Sequence, residues 1–152
     1  MRRLRAYADT SVFGGCADAE FAEVSRAFFR EVAAGRFVLL VSDAVVRELA
    51  LAPEPVQAVL QNLKPDAVEM LRFSEEIGRL RDAYVGAGVL SPASINDAEH
   101  IAFASVALAD LLVSWNFKHI VHFERIAGFE AVNLLHGYRP VRIHSPREVV
   151  EL

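Results

Sequence analysis

The sequence predicts a parallel α/β sandwich, and three observations carry that prediction. Apolar runs of strand length alternate with segments of helical periodicity along the whole chain. One run, Phe37-Val38-Leu39-Leu40-Val41, is apolar at every position, as expected of a strand covered on both faces. Hydrophobic residues make up 53% of the 152 residues, enough for a two- or three-layer core in one domain spanning 1–152.

The elements follow in order. A first strand is expected at Arg5–Asp9, and Gly14-Gly15 reads as a turn after it. Phe21, Val24, Ala27, Phe28 and Val32 then recur at helical spacing, with a stop at Gly35. After the apolar strand, Ser42 is the expected N-cap of a helix from Asp43 to about Leu51. Pro53 and Pro55 interrupt it, and a short helix resumes over Val56–Leu63. Ala67–Leu71 is read as a third strand. Ile77, Leu80, Arg81 and Tyr84 set a helix over Ser74–Ala87, closed by Gly86 and Gly88. Ser94 opens the next helix, which runs to about Ala109. Leu111–Trp115 is a fourth strand. A short helix near Ile120–Ala127 precedes Val132–Leu135, a turn at Gly137, a strand at Val141–His144 and a last turn opened by Pro146. No repeat, low-complexity segment or linker divides the chain.

Composition narrows the function classes. A formal net charge of −4, from 16 Lys+Arg against 20 Asp+Glu, argues against a protein that coats nucleic acid, because such binding neutralises phosphates with cationic side chains. Reaching phosphates through metal ions stays open. Cys16 is the single cysteine, which excludes an intrachain disulfide and a thiolate zinc cluster and suits a reducing cytosol. No apolar stretch follows the basic start Met1–Arg5 as a signal peptide requires. The runs near Phe37–Val41 and Val106–Val113 are too short for a bilayer. A cytoplasmic protein is expected.

Four polar residues fall at the ends of elements, where open α/β sheets carry their chemistry. Asp9 lies at the exit of the first strand. Glu48 lies on or beside the apolar stripe of the Ser42-capped helix; alone, it reads as a stripe-edge residue or a partner of Arg47 or another cation. Asp97 follows Ser94 by three, which resembles a capping box. Asp97, Ile101, Ala104 and Leu108 nevertheless continue one helical face. Asn116 stands at the exit of the fourth strand, a position common for turn residues. Thr10, Ser11 and Ser114 lie beside these groups and could hold a water or a phosphate oxygen, or simply make local turn hydrogen bonds. Asp110 precedes the fourth strand, and six extended residues span ~20 Å, so it belongs to the opposite edge. The five histidines show no zinc spacing.

Gathering carboxylates is unfavourable without a counter-charge. Two of them 4 Å apart repel by about 4 kcal/mol at an effective dielectric of 20. A hard divalent cation relieves this, and oxygen-only ligands suit magnesium or manganese better than zinc.

Tyr7-Ala8-Asp9-Thr10-Ser11, Val41-Ser42-Asp43-Ala44-Val45-Val46-Arg47-Glu48-Leu49, Asn96-Asp97-Ala98-Glu99-His100-Ile101-Ala102 and Leu112-Val113-Ser114-Trp115-Asn116 together resemble the PIN-domain family. The resembling branch is that of the VapC-type ribonuclease toxins of toxin–antitoxin pairs, and the likeness covers nearly the whole chain. It implies a PIN-like three-layer sandwich with a central parallel sheet flanked by helices. It further implies endonucleolytic cleavage of RNA with Mg²⁺ or Mn²⁺, Asp9, Glu48 and Asp97 as metal ligands, a cognate antitoxin and a homodimer. Asn116 falls where many members carry a fourth acid, so its role becomes positioning water, with Thr10, Ser11 and Ser114 assisting. The same departure supports an alternative, a catalytically weak PIN-fold module that binds RNA or a partner protein. A phosphatase or phospho-receiver with Asp9 as nucleophile is disfavoured by the lack of a D-x-D after the first strand.

Overall fold

The computed structural model describes residues 2–151. Its strands β1 (Leu4–Ala8), β2 (Phe37–Ser42), β3 (Val68–Leu71), β4 (Leu111–Val113) and β5 (Ile143–His144) pair in parallel as one sheet, in the order β3-β2-β1-β4-β5. Tyr7 pairs with Leu40 on one side and Leu112 on the other, so β1 is central. Ala6, Tyr7, Ala8, Leu39, Leu40, Val41, Leu112 and Val113 are all fully buried. That is the consequence of covering both faces of a parallel sheet, and it is why these strands read as unbroken apolar runs.

The covering helices are α1 (Thr10–Gly15), α2 (Ala22–Ala33), α3 (Asp43–Leu49), α4 (Glu54–Gln61), α5 (Glu75–Gly86), α6 (Ile95–Val106), α7 (Phe123–Leu135) and α8 (Pro146–Val149). α2 packs against β2, α1 and α8, while α5 packs against α6 and α7. Phe13, Phe28, Phe37, Tyr84, Phe103 and Phe129 are fully enclosed between the layers. Burying a side chain of that size is worth about 1.5–3 kcal/mol, so the aromatic set anchors the helices on the sheet. None of the helices of the described residues is long and apolar enough to cross a membrane.

The Ser42 cap forms as the sequence predicts, its Oγ accepting from Val45 N–H at 3.2 Å. Ser74, expected inside its helix, caps α5 instead, its Oγ accepting from Ile77 N–H at 3.2 Å. Three further expectations are corrected. Gly14-Gly15 is not a turn but the end of the short helix α1, which starts directly after β1. Ile120–Ala127 and Val132–Leu135 are not separate; Phe123–Leu135 is one helix running through Gly128. The helix expected from Ser94 to Ala109 ends at Val106, with Leu108 in the left-handed region at φ 57°.

Candidate metal centre

Asp9 directly follows β1, and its backbone N–H donates to Val113 O at the end of β4. The chain leaves β1 toward β2 on one side and returns to β4 on the other. The two strand ends therefore open a crevice at the switch point of the sheet, the place where open α/β sheets bind ligands. Asp9 is only 4% exposed. Ser11 Oγ donates to its Oδ1 at 2.5 Å and Ser114 Oγ donates to its Oδ2 at 2.7 Å. Each hydroxyl in turn accepts a backbone N–H, from Trp115 and Asn116 respectively, both at 2.9 Å. The two serines are thereby fixed as donors to the carboxylate. Burial pushes the Asp9 carboxyl above its ordinary range and nearby Asp97 adds to the rise, against the opposing pull of His100 and the two hydroxyls.

Asp97 enters from the first turn of α6. The capping-box reading of Ser94-x-x-Asp97 does not hold: Ser94 closes a 3-10 turn at Pro92–Ser94, has φ −104° and ψ 24°, and makes no cap hydrogen bond. Asn116 Nδ2 instead donates to Asp97 Oδ1 at 3.2 Å, while Asn116 Oδ1 accepts from His119 N–H at 2.9 Å. Asn116 thus braces Asp97 from the β4 side. Burial raises the Asp97 carboxyl and Glu48 raises it further, opposed by His100, His119 and the Asn116 hydrogen bond.

Glu48, on α3, reaches the same crevice with its side chain 37% exposed. Its partner is not Arg47 but His100, whose Nε2 lies 2.7 Å from Glu48 Oε1. Burial alone would raise the Glu48 carboxyl; the His100 hydrogen bond and charge hold it below its ordinary range instead.

His100 was not distinguished by zinc spacing, yet it stands at the centre of the cluster. It is 3% exposed, and its other ring nitrogen, Nδ1, lies 2.6 Å from Tyr7 Oη. Burial alone would lower its pKa; Glu48, Asp9 and Asp97 together raise it. The signal in the sequence was spacing on one helix face: His100 is three residues after Asp97, so a face that delivers one to the crevice delivers the other.

The set fits a hydrated divalent cation in some respects and limits how it is held. Three carboxylates around one imidazole leave an excess of negative charge. Thr10 Oγ1, His119 Nδ1 and His122 Nδ1 are buried without a well-formed hydrogen bond among the described residues, Thr10 lying close enough to Glu48 to help lower its carboxyl, although buried polar atoms in folded proteins nearly always have a partner. No three His, Cys, Asp or Glu side chains among the described residues already stand round a common point as a metal-holding group. Magnesium commonly takes one or two carboxylates and keeps several waters. Asp9 and Asp97 would be the carboxylates of such a shell, while Glu48 is engaged by His100.

Other places compete poorly. Asp110 lies at the opposite edge, as its position before β4 predicted, accepting from Arg5 N–H at 2.8 Å and Arg2 at 2.5 Å. A cavity of about 590 Å³ is at that same far edge and is lined in part by Arg2, Arg36, Arg139 and Arg142. Arg2 and Arg36 are already paired with Asp110 and Glu31.

Strand order, helical cover and a carboxylate crevice at the switch point define an α/β sandwich of the PIN-like kind. No family model matches the chain, and no curated protein does. Among solved structures the chain is similar to VapBC2 from Rickettsia felis bound to a DNA fragment from their promoter. That likeness has 16% sequence identity and a TM-score of 0.59, over 93% of this chain and 98% of the other. At that identity the likeness shows the fold, a PIN-like α/β sandwich.

Proposed function

We propose that the protein is a metal-dependent endoribonuclease of the cytoplasm, the toxin of a toxin–antitoxin pair. The observation that carries this reading is that Asp9, Glu48 and Asp97, from three separate elements, all lie within electrostatic reach of the one buried imidazole of His100 at the switch-point end of the sheet. Asp9 and Asp97 would hold Mg²⁺ or Mn²⁺. Bound there, the ion supplies Lewis acidity toward a phosphodiester and the water that attacks it. Ser11 and Ser114 fix the orientation of Asp9, and Asn116 fixes that of Asp97. Glu48 is half open to solvent and kept ionised by His100, a state in which it can accept a proton from water. Arg47, with a side chain 62% exposed and paired with Glu99 at 3.4 Å, could offer a cation to the backbone of an incoming RNA if that pair opens.

The similarity to a VapBC2 assembly supports an antitoxin-type partner for this chain, and a homodimer completes the proposal. A second reading, a catalytically weak module for RNA or a partner protein, is favoured by one observation. The fourth position is the uncharged Asn116, with both polar atoms engaged in the fold.

Incubating RNA with the protein and Mg²⁺ or Mn²⁺, with and without chelator, separates the two. The nuclease reading expects cleavage that chelator stops and that Asp9→Asn abolishes. Equal cleavage by Asp9→Asn contradicts it, and RNA binding without cleavage supports the module.

A further inference from the structure

Three elements each send two residues to the same region, one in front and one behind. β1 leads into Asp9 and carries Tyr7 two residues earlier. The β2–α3 junction carries Ser42, and α3 carries Glu48. α6 carries Asp97 and His100. The acids form the crevice; Ser42, Tyr7 and His100 form a hydrogen-bonded chain behind it. Tyr7 Oη lies 2.7 Å from Ser42 Oγ and 2.6 Å from His100 Nδ1, and His100 Nε2 lies 2.7 Å from Glu48 Oε1.

With the His100 ring neutral, the donors close in one direction. Ser42 Oγ accepts from Val45 N–H, so its own proton is free for Tyr7 Oη. The phenol then donates to His100 Nδ1, which leaves the neutral ring as the Nε2–H tautomer, a donor to Glu48. A ring nitrogen's tautomer is set by the bond the other nitrogen makes. Ser42 and Tyr7 are fully buried and His100 nearly so. Tyr7 is held further by stacking on Phe103, with ring centroids 6.4 Å apart.

A buried polar chain of this kind ordinarily ends on another buried group that needs a partner. Here it ends on Glu48, which water could solvate unaided. We infer that His100, rooted by Tyr7, is a positioning residue that holds the Glu48 carboxylate in one orientation at the crevice while Asp9 and Asp97 take the cation. This rests on the nuclease reading and adds to it the residues that set Glu48.

Steady-state cleavage of a defined RNA with Mn²⁺, paired with Mn²⁺ calorimetry, tests this on His100→Leu, His100→Gln and Tyr7→Phe. Removing an outer partner of a site typically costs about 10–100-fold. Expected for His100→Leu is a fall of that order in kcat, with KM and Mn²⁺ affinity within about threefold of wild type. His100→Gln, whose amide N–H₂ can still donate to Glu48, recovers most of kcat. Tyr7→Phe deletes one oxygen, keeps the packed ring, and carries the test if His100→Leu does not fold; its kcat falls in the same way. NMR of the His100 ring supplies a readout independent of activity: the Nε2–H tautomer in wild type, changed in both Glu48→Gln and Tyr7→Phe. Active wild type with unchanged kcat in His100→Leu or Tyr7→Phe overturns this inference alone. Wild type that cleaves no RNA overturns the nuclease reading, and this inference with it.

Discussion

His100 Nε2 and Glu48 Oε1, 2.7 Å apart, reverse what burial would do to each of them. Burial disfavours the charged form of both an imidazole and a carboxylate. In this pair the imidazole is nevertheless raised and the carboxylate lowered. The sign of the pH dependence follows from linkage. The contribution of His100 is full below its ordinary 6.5 and is lost as pH rises through its raised folded value. That of Glu48 is full above its ordinary 4.5 and is lost as pH falls through its lowered folded value. Thermal unfolding of the cation-free protein across pH 5–9 is therefore expected to lose stability on the alkaline side, and His100→Gln to lose less. Parallel curves for the two proteins would refute the pairing.

Asp97 sits on the other side of the balance. Its carboxyl is raised by burial and by Glu48, so its ionisation opposes folding at neutral pH. Asp97→Asn keeps an oxygen for Asn116 and removes the charge. The cation-free variant should therefore unfold at a higher midpoint than cation-free wild type. A lower midpoint would mean that Asp97 is a structural partner and not a strained site residue.

Gly15 lets α1 lie close against Ser25 of α2 and the Trp115 indole. A Cβ there would lie 2.3 Å from Ser25 Oγ and 2.8 Å from Trp115 Nε1. Those two atoms are themselves joined by a 2.8 Å hydrogen bond. Gly15→Ala should cost about 1–3 kcal/mol, the usual penalty of overpacking, and chemical denaturation reads it directly. Because Trp115 N–H also holds Ser11, cleavage activity is expected to fall in the same variant. A neutral substitution would show that α1 can shift without loss.

The sheet and the crevice were legible because both rest on periodicity and position. An all-apolar run marks a central parallel strand, and an acid at its exit faces the switch point whatever the rest of the chain does. Contacts between distant segments were not legible. Gly128 looks like a break in α7 because glycine costs about 1 kcal/mol in a helix. Its Cβ, however, would lie 2.8 Å from Val89 Cγ1, so close packing asks for glycine inside a continuous helix. Ser94 has a capping sequence, but the Pro92 turn gives it the wrong backbone angles. His100 carries no zinc spacing and no other local mark of its role. Its partners, Tyr7 and Glu48, lie 93 and 52 residues away, a relationship that only the fold supplies.

The central claim is that Asp9 and Asp97 converge on a place for a hard divalent ion. Calorimetric titration of Mn²⁺ into wild type, Asp9→Asn and Asp97→Asn tests it most directly. Saturable binding to wild type, lost in both variants, is the expected result. No binding to wild type, or binding unaltered in both variants, would contradict it.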